Sequence, residues 1–221
     1  MTRTSLKDQI RDLLERGDLD QVAEVAAARR RTLGQLVSLT FDSDPTIVYR
    51  AIEATGVCAQ RLAKIDPDSV WEHLRRLLWM VSEESGGICW HAPELMAEII
   101  HRLPDQFSEY LEVTASFLLT MEKEDLEHFR PGALRALGLL REIPAELHSE
   151  LMPAITAALD SPDPQARGMA VWALSRIGES RLIEGRVELL SDDAEVDHYH
   201  NGEHQQTTVA ELTRSLLDRS C

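Results

Sequence analysis

Four stretches of this chain fall into register when alanine is laid on alanine. They are DPTIVYRAIEATG with Ala54, WHAPELMAEII with Ala97, FRPGALRALGLL with Ala136 and DPQARGMAVWALSRIG with Ala173. The steps between them are 43, 39 and 37 residues. Three positions earlier stand Ala51, Glu94, Ala133 and Ala170, so a small residue recurs wherever one helix must approach the next closely, and only the second copy breaks the rule. A period near 40 built from paired helices describes units that cannot cover their own apolar faces and must stack in series.

The helix punctuation agrees with that period. Asp44-Pro45, Asp66-Pro67 and Asp163-Pro164 each place a side-chain acceptor at the cap and a preset φ at the first helical position. Ala92-Pro93 and Arg130-Pro131 supply the proline without a good cap, and Pro104 ends the helix that Pro93 opens. Between these marks Trp71, Leu74, Leu78 and Val81 share one face, as do Met96, Ile99, Ile100 and Leu103. The spacing predicts eleven to thirteen helices. Trp71, Trp79 and Trp172 fall in such stripes and read as core.

Residues 151–190 resemble the HEAT-like repeat family that includes the phycobilisome-lyase type repeats. The likeness rests on a Leu-rich first helix, the Asp160-Ser161-Pro162-Asp163-Pro164 turn, Arg167, the Ala170 and Ala173 pair, Ile177-Gly178 and a following Leu-rich helix. It implies an all-α, HEAT-like helical-repeat solenoid, with Asp163 and Arg167 as stacking contacts and Arg130 in the matching place one repeat earlier. The expected organisation is one α-solenoid domain over 1–221. It divides into N-terminal helices over 1–43, about four HEAT-like repeats over 44–190, and a C-terminal hairpin with a capping helix over 191–221.

Helical periodicity stops near Glu195. Asn201-Gly202 is a strong hairpin signal, because both residues tolerate positive φ in a type I′ turn. Thr208 and Glu211 then form a capping box that opens a last helix carrying Val209, Leu212, Leu216 and Leu217. His198, His200 and His204 crowd the hairpin, but its register sends His204 to the opposite side from the other two. No metal site is expected there.

Charge narrows the partners. The net charge is -15, and residues 42–221 carry 32 acidic against 16 basic side chains. Such a surface repels a phosphate backbone, so nucleic acid is not expected. Arg29, Arg30 and Arg31 form one local basic spot, read as a solvated junction between two helices. No run approaches the roughly 18 apolar residues of a membrane span, and three scattered cysteines, Cys58, Cys89 and Cys221, fit a reducing compartment. The expected location is the cytoplasm.

Catalytic signatures are missing from the sequence. It has no P-loop, GxGxxG, nucleophile elbow or HExxH. Among HEAT-like enzymes, deoxyhypusine hydroxylase holds iron with repeated His-Glu dipeptides, and this chain contains none. The segment that stands out is SEESGGICWHAPE, residues 82–94, where two glycines follow two carboxylates and a Trp-His pair leads into a proline-started helix. Trp supplies area to desolvate and carboxylates set orientation. The expected function is therefore a non-catalytic, cofactor-free adaptor whose acidic concave face takes a protein or peptide partner, one with basic residues. Its candidate anchors are Trp90 and His91, with Glu83, Glu84 and Glu94 giving charge. The structural alternative is that Trp90 packs between repeats. Two other functions stay open: a bilin-lyase-like protein handling a small cofactor, and a structural subunit of a stable assembly.

Overall fold

A computed structural model describes residues 5–82, 89–123 and 126–218. Over these residues the fold is all-α helical repeat with one small two-stranded sheet, and the chain packs as two compact units. The first comprises Met1–Phe107 together with Tyr199–His204, and the second Ser108–His198 with Gln205–Cys221.

The first unit contains α1 (Leu6–Glu15), α2 (Leu19–Ala28), α3 (Arg31–Leu39), α4 (Pro45–Leu62), α5 (Pro67–Ser82), α6 (Ala92–Arg102) and the single turn α7 (Pro104–Phe107). The helices pair as α1 with α2, α3 with α4 and α5 with α6. The second members stack in series, α2 on α4 and α4 on α6, as the alanine register requires. Ala51, Ala54 and Ala97 are fully buried in this stack, and Glu94 is buried with them. Helix starts follow local chemistry. Ser5 and Asp8 exchange bonds in a capping box, Asp8 N to Ser5 Oγ at 3.1 Å and Ser5 N to Asp8 Oδ2 at 3.3 Å. Asp44 Oδ1 accepts from Thr46 N at 2.8 Å. Asp66, which the sequence marks as another cap, instead takes the Arg30 guanidinium at 2.8 Å.

The second unit contains α8 (Leu111–Lys123), α9 (Arg130–Leu140), α10 (His148–Ala157), α11 (Pro164–Ile177), the short α12 (Arg181–Glu184), β1 (Glu195–His200), β2 (Glu203–Thr208) and α13 (Val209–Asp218). Here α8 packs on α9 and α10, α9 on α11, and α11 on α13. Ala133, Ala136, Ala170 and Ala173 are all buried. Asp163 caps its own helix through Gln165 N at 2.9 Å, whereas Arg167 makes the longer link, bidentate to Asp192 at 2.7 and 3.1 Å with a further bond to Ser161 O at 2.8 Å. Arg130 reaches back to Glu122 on α8 at 2.8 Å. Thr208 and Glu211 form the expected box, and α13 turns Val209, Ala210, Leu212 and Leu216 inward, covering α11.

The hairpin turns at Asn201 and Gly202 with φ of 52° and 81°, the two positive values a type I′ turn demands. Its base meets α11, where Val196 occupies the space beside Gly168. Its tip belongs to the first unit. Tyr49 of α4 stacks on both Tyr199 and His204, at centroid separations of 5.4 and 5.7 Å, so these two residues face the same side of the ribbon. Tyr199 Oη donates to Glu53 Oε2 at 2.5 Å, and Arg50 Nε donates to Gly202 O at 3.1 Å.

Candidate functional site

The connection from α5 to α6 is closed at its base by a backbone bond. Cys89 N donates to Met80 O at 3.4 Å, so Cys89 lies beside the last turn of α5 before α6 begins. Ala92 N then bonds Cys89 O at 3.0 Å, and Pro93 sits in the first turn of α6, where its missing N–H costs nothing. His91 occupies the cap position without capping through its side chain. Its Nδ1 lies 2.6 Å from Glu94 Oε2 instead.

Two tryptophans flank that closed base. Trp90, immediately after Cys89, is 50% exposed, and Trp79, immediately before Met80, is 59% exposed. The apolar stripe of α5 predicts Trp79 in the core, and the structure corrects this. Trp79 turns outward because Leu74 and Leu77 already fill the buried face of α5, with Trp71 set edge-on to Phe107. Glu94 is only 1% exposed, so its carboxylate is not a surface charge but lies buried against His91. Glu83 and Glu84 lie outside the described residues. Cys89 is buried, and that burial raises its thiol pKa, with backbone bonds and the Thr40 hydroxyl opposing the shift.

A concave feature elsewhere has no motif to announce it in the sequence. Between α3 and α5 lies a cavity of about 380 Å³, lined by Arg30, Arg31 and Gly34 from one side and Ser69, His73 and Arg76 from the other. His73 is 6% exposed, and burial together with Arg76 pushes its pKa down to about 4. The basic run is thus a helix junction, as expected, but one that borders a hollow. The hairpin histidines are used differently, since His204 stacks on Tyr49 and His198 lies edge-on to Trp172. Among the described residues no group of three or more His, Cys, Asp or Glu side chains is arranged to hold a metal ion. Nor is any helix among them long and apolar enough to cross a membrane.

The repeat itself is best defined in the second unit, where α9 and α11 stack through their buried alanines across the intervening α10. Residues 127–177, which hold these three helices, match the family model described as HEAT-like repeat. The chain carries a HEAT-like repeat. Within it, Arg135 and Arg176 both lie over the Trp172 ring, with guanidinium carbons 5.4 and 5.6 Å from the ring centre. A curated protein of Archaeoglobus fulgidus, described as uncharacterized, is 22% identical to this chain over 179 residues, which cover 80% of this chain and 91% of the relative. Among solved structures, an engineered protein shares the fold, with a TM-score of 0.56 at 17% identity over 99% of this chain and 93% of its own. Computationally designed armadillo repeat proteins for modular peptide recognition overlap less, with a TM-score of 0.49 at 17% identity over 97% and 99% of the two chains. The archaeal HEAT-like repeats protein from Thermococcus onnurineus NA1 gives 0.41 at 18% identity over 99% and 82%.

Proposed function

We propose that this HEAT-like repeat protein is a non-catalytic adaptor that binds a protein or peptide partner where α5 passes to α6. The observation that carries the reading is the pair of exposed indoles, Trp79 and Trp90, each the chain neighbour of one partner in the Cys89 to Met80 bond. Trp is the residue type most enriched among energetic anchors of interfaces, since it buries a large rigid area with little loss of conformational freedom. A chain of net charge -15 attracts a partner with basic residues, and charge of this kind acts mainly on encounter rate and selectivity. In this reading His91, oriented by Glu94, supplies the polar contact beside the indoles, and Glu83 and Glu84 supply charge from the same connection. The buried free thiols of Cys58 and Cys89 support a reducing compartment such as the cytoplasm.

The test is affinity capture with quantitative mass spectrometry, using the intact protein and a Trp79→Ala, Trp90→Ala, Glu84→Lys variant. The variant should keep the far-ultraviolet helical signal and lose at least about 90% of a specific partner, roughly 1.4 kcal/mol or more of binding. Equal recovery of the same partners by both proteins would sink the assignment.

A further inference from the structure

We propose that the cavity between α3 and α5 binds a compact phosphate-type oxyanion, gripped by Arg31 and Arg76 with the His73 ring in its wall. Three arginines and one glutamate, Glu72, line a space of about 380 Å³ in a chain whose net charge is -15. Arg30 is engaged by Asp66 at 2.8 Å. Arg31 and Arg76 form no hydrogen bond or ion pair with any other described residue, so two planar guanidinium forks border the hollow with no described carboxylate bonded to them. Forks of that shape match the oxygens of a phosphate group two at a time.

The second observation is independent of the arginines. His73, with only 6% of its surface exposed, lines the cavity, and its Nε2 has no hydrogen-bond partner among the described residues. Buried polar atoms in folded proteins are nearly always satisfied, and one left open beside a cationic hollow points to a partner supplied from outside. A neutral imidazole with its proton on Nε2 donates to an anionic oxygen, and the low pKa of His73 keeps the ring neutral at physiological pH. Gly34 belongs to the same wall. It lies inside α3, where glycine is the poorest helix former after proline, and a Cβ there would meet only the tip of Arg76 at 3.8 Å. Packing against backbone does not demand a glycine at this point. Its effect is to keep the cavity wall open.

A volume of this size holds more than a bare ion, so the phosphate arrives either free or as the end of a small metabolite. Titration of the 221-residue chain at low ionic strength with inorganic phosphate, glycerol 3-phosphate and glycerol separates these sources, read by the His73 ring resonances and by calorimetry. Both phosphates should bind saturably and shift His73, while glycerol does neither. A tighter ester indicates the metabolite, and equal affinities indicate the free ion. Arg31→Gln with Arg76→Gln should weaken binding by at least about tenfold, and Glu72→Gln should tighten it. Arg75→Gln removes the same charge from α5 outside the cavity lining and should leave binding unchanged. Gly34→Met should fill the space, abolish binding and leave the protein folded. Absence of saturation below about 10 mM of either phosphate, equal weakening by Arg75→Gln, or retained binding in the double arginine variant or in Gly34→Met would overturn the proposal.

Discussion

Trp172 stands where a side chain on Gly138 would have to be. A Cβ built on Gly138 would lie 2.3 Å from Cζ3 of the indole and 3.2 Å from the Cα of Ala173. Glycine is thus the condition for α9 and α11 to approach each other. The first unit repeats the device on α4, where a Cβ on Gly56 would lie 2.6 Å from Arg102 Cδ and 2.9 Å from Glu98 O. Both glycines fall two residues after an alanine of the 40-residue register, Ala136 and Ala54.

Gly138→Ala is therefore expected to destabilise the protein despite the better helix propensity of alanine. The indole cannot yield without disturbing Arg135 and Arg176 over its ring, so a loss of about 1–3 kcal/mol is expected, the range for overpacked cores. Chemical denaturation monitored by Trp fluorescence measures it. An unchanged midpoint would mean that α9 and α11 slide apart freely.

His73 predicts a particular pH dependence. Its folded pKa is about 4 against an ordinary value near 6.5, so above pH 6.5 both folded and unfolded chains hold it neutral and stability is flat. As pH falls from 6.5 to about 4, the unfolded chain takes up a proton that the folded one refuses. Stability then declines by an amount on the order of 3 kcal/mol, complete near pH 4. His73→Gln should remove this slope. The difference between the two proteins, measured by urea unfolding in phosphate-free buffer at pH 7 and 4.5, checks it.

Arg167 and Asp192 predict a loss in the more acidic range. Hydrogen bonding to Arg167 holds the Asp192 carboxyl below its ordinary value, against the opposing effect of burial. The stability this pair contributes is full above about pH 4 and is lost as pH falls through the depressed folded value. Arg167→Met should cost about 2 kcal/mol at pH 7, since it strands Asp192 and the Ser161 carbonyl as well as breaking the pair. The cost should shrink as pH falls through that depressed value, and urea unfolding of both proteins across the acidic range measures it.

Cys58 and Cys89 should both resist alkylation in the native protein. Burial pushes the Cys58 thiol up to about 12 and raises Cys89 as well, and thiolate is the reactive form. Iodoacetamide followed by peptide mass spectrometry should label them only after denaturant is added. Rapid native labelling of Cys89 would show that the α5 to α6 connection opens.

What the sequence reveals and what it hides divides along the range of the interactions. Asp44, Asp163, the Thr208–Glu211 box and the Asn201-Gly202 turn act within four residues, and each does what its local chemistry dictates. The alanine register is longer in range but periodic, so it is legible too. The outward turn of Trp79 is not, because a stripe of apolar residues on α5 does not say which of them the neighbouring helices reach. Glu94 reads as a surface charge because glutamate is rarely buried, and its burial depends on α6 being enclosed on every side. The hollow between α3 and α5 unites residues some 40 positions apart with no shared motif, and only the fold places Arg31 opposite Arg76.

The hairpin tip gives the first unit a late requirement. Tyr199 and Gly202 bond to Glu53 and Arg50 across 146 and 152 positions of chain, while the helices of that unit meet near neighbours. During synthesis α1 to α6 emerge long before the ribbon exists, so the Tyr49 face of α4 gains its stacking partner only once the chain has been made past Tyr199. Closing so long a loop is entropically slow compared with stacking adjacent helices. Maturation of the amino-terminal half thus waits on a clasp delivered by the carboxy-terminal end.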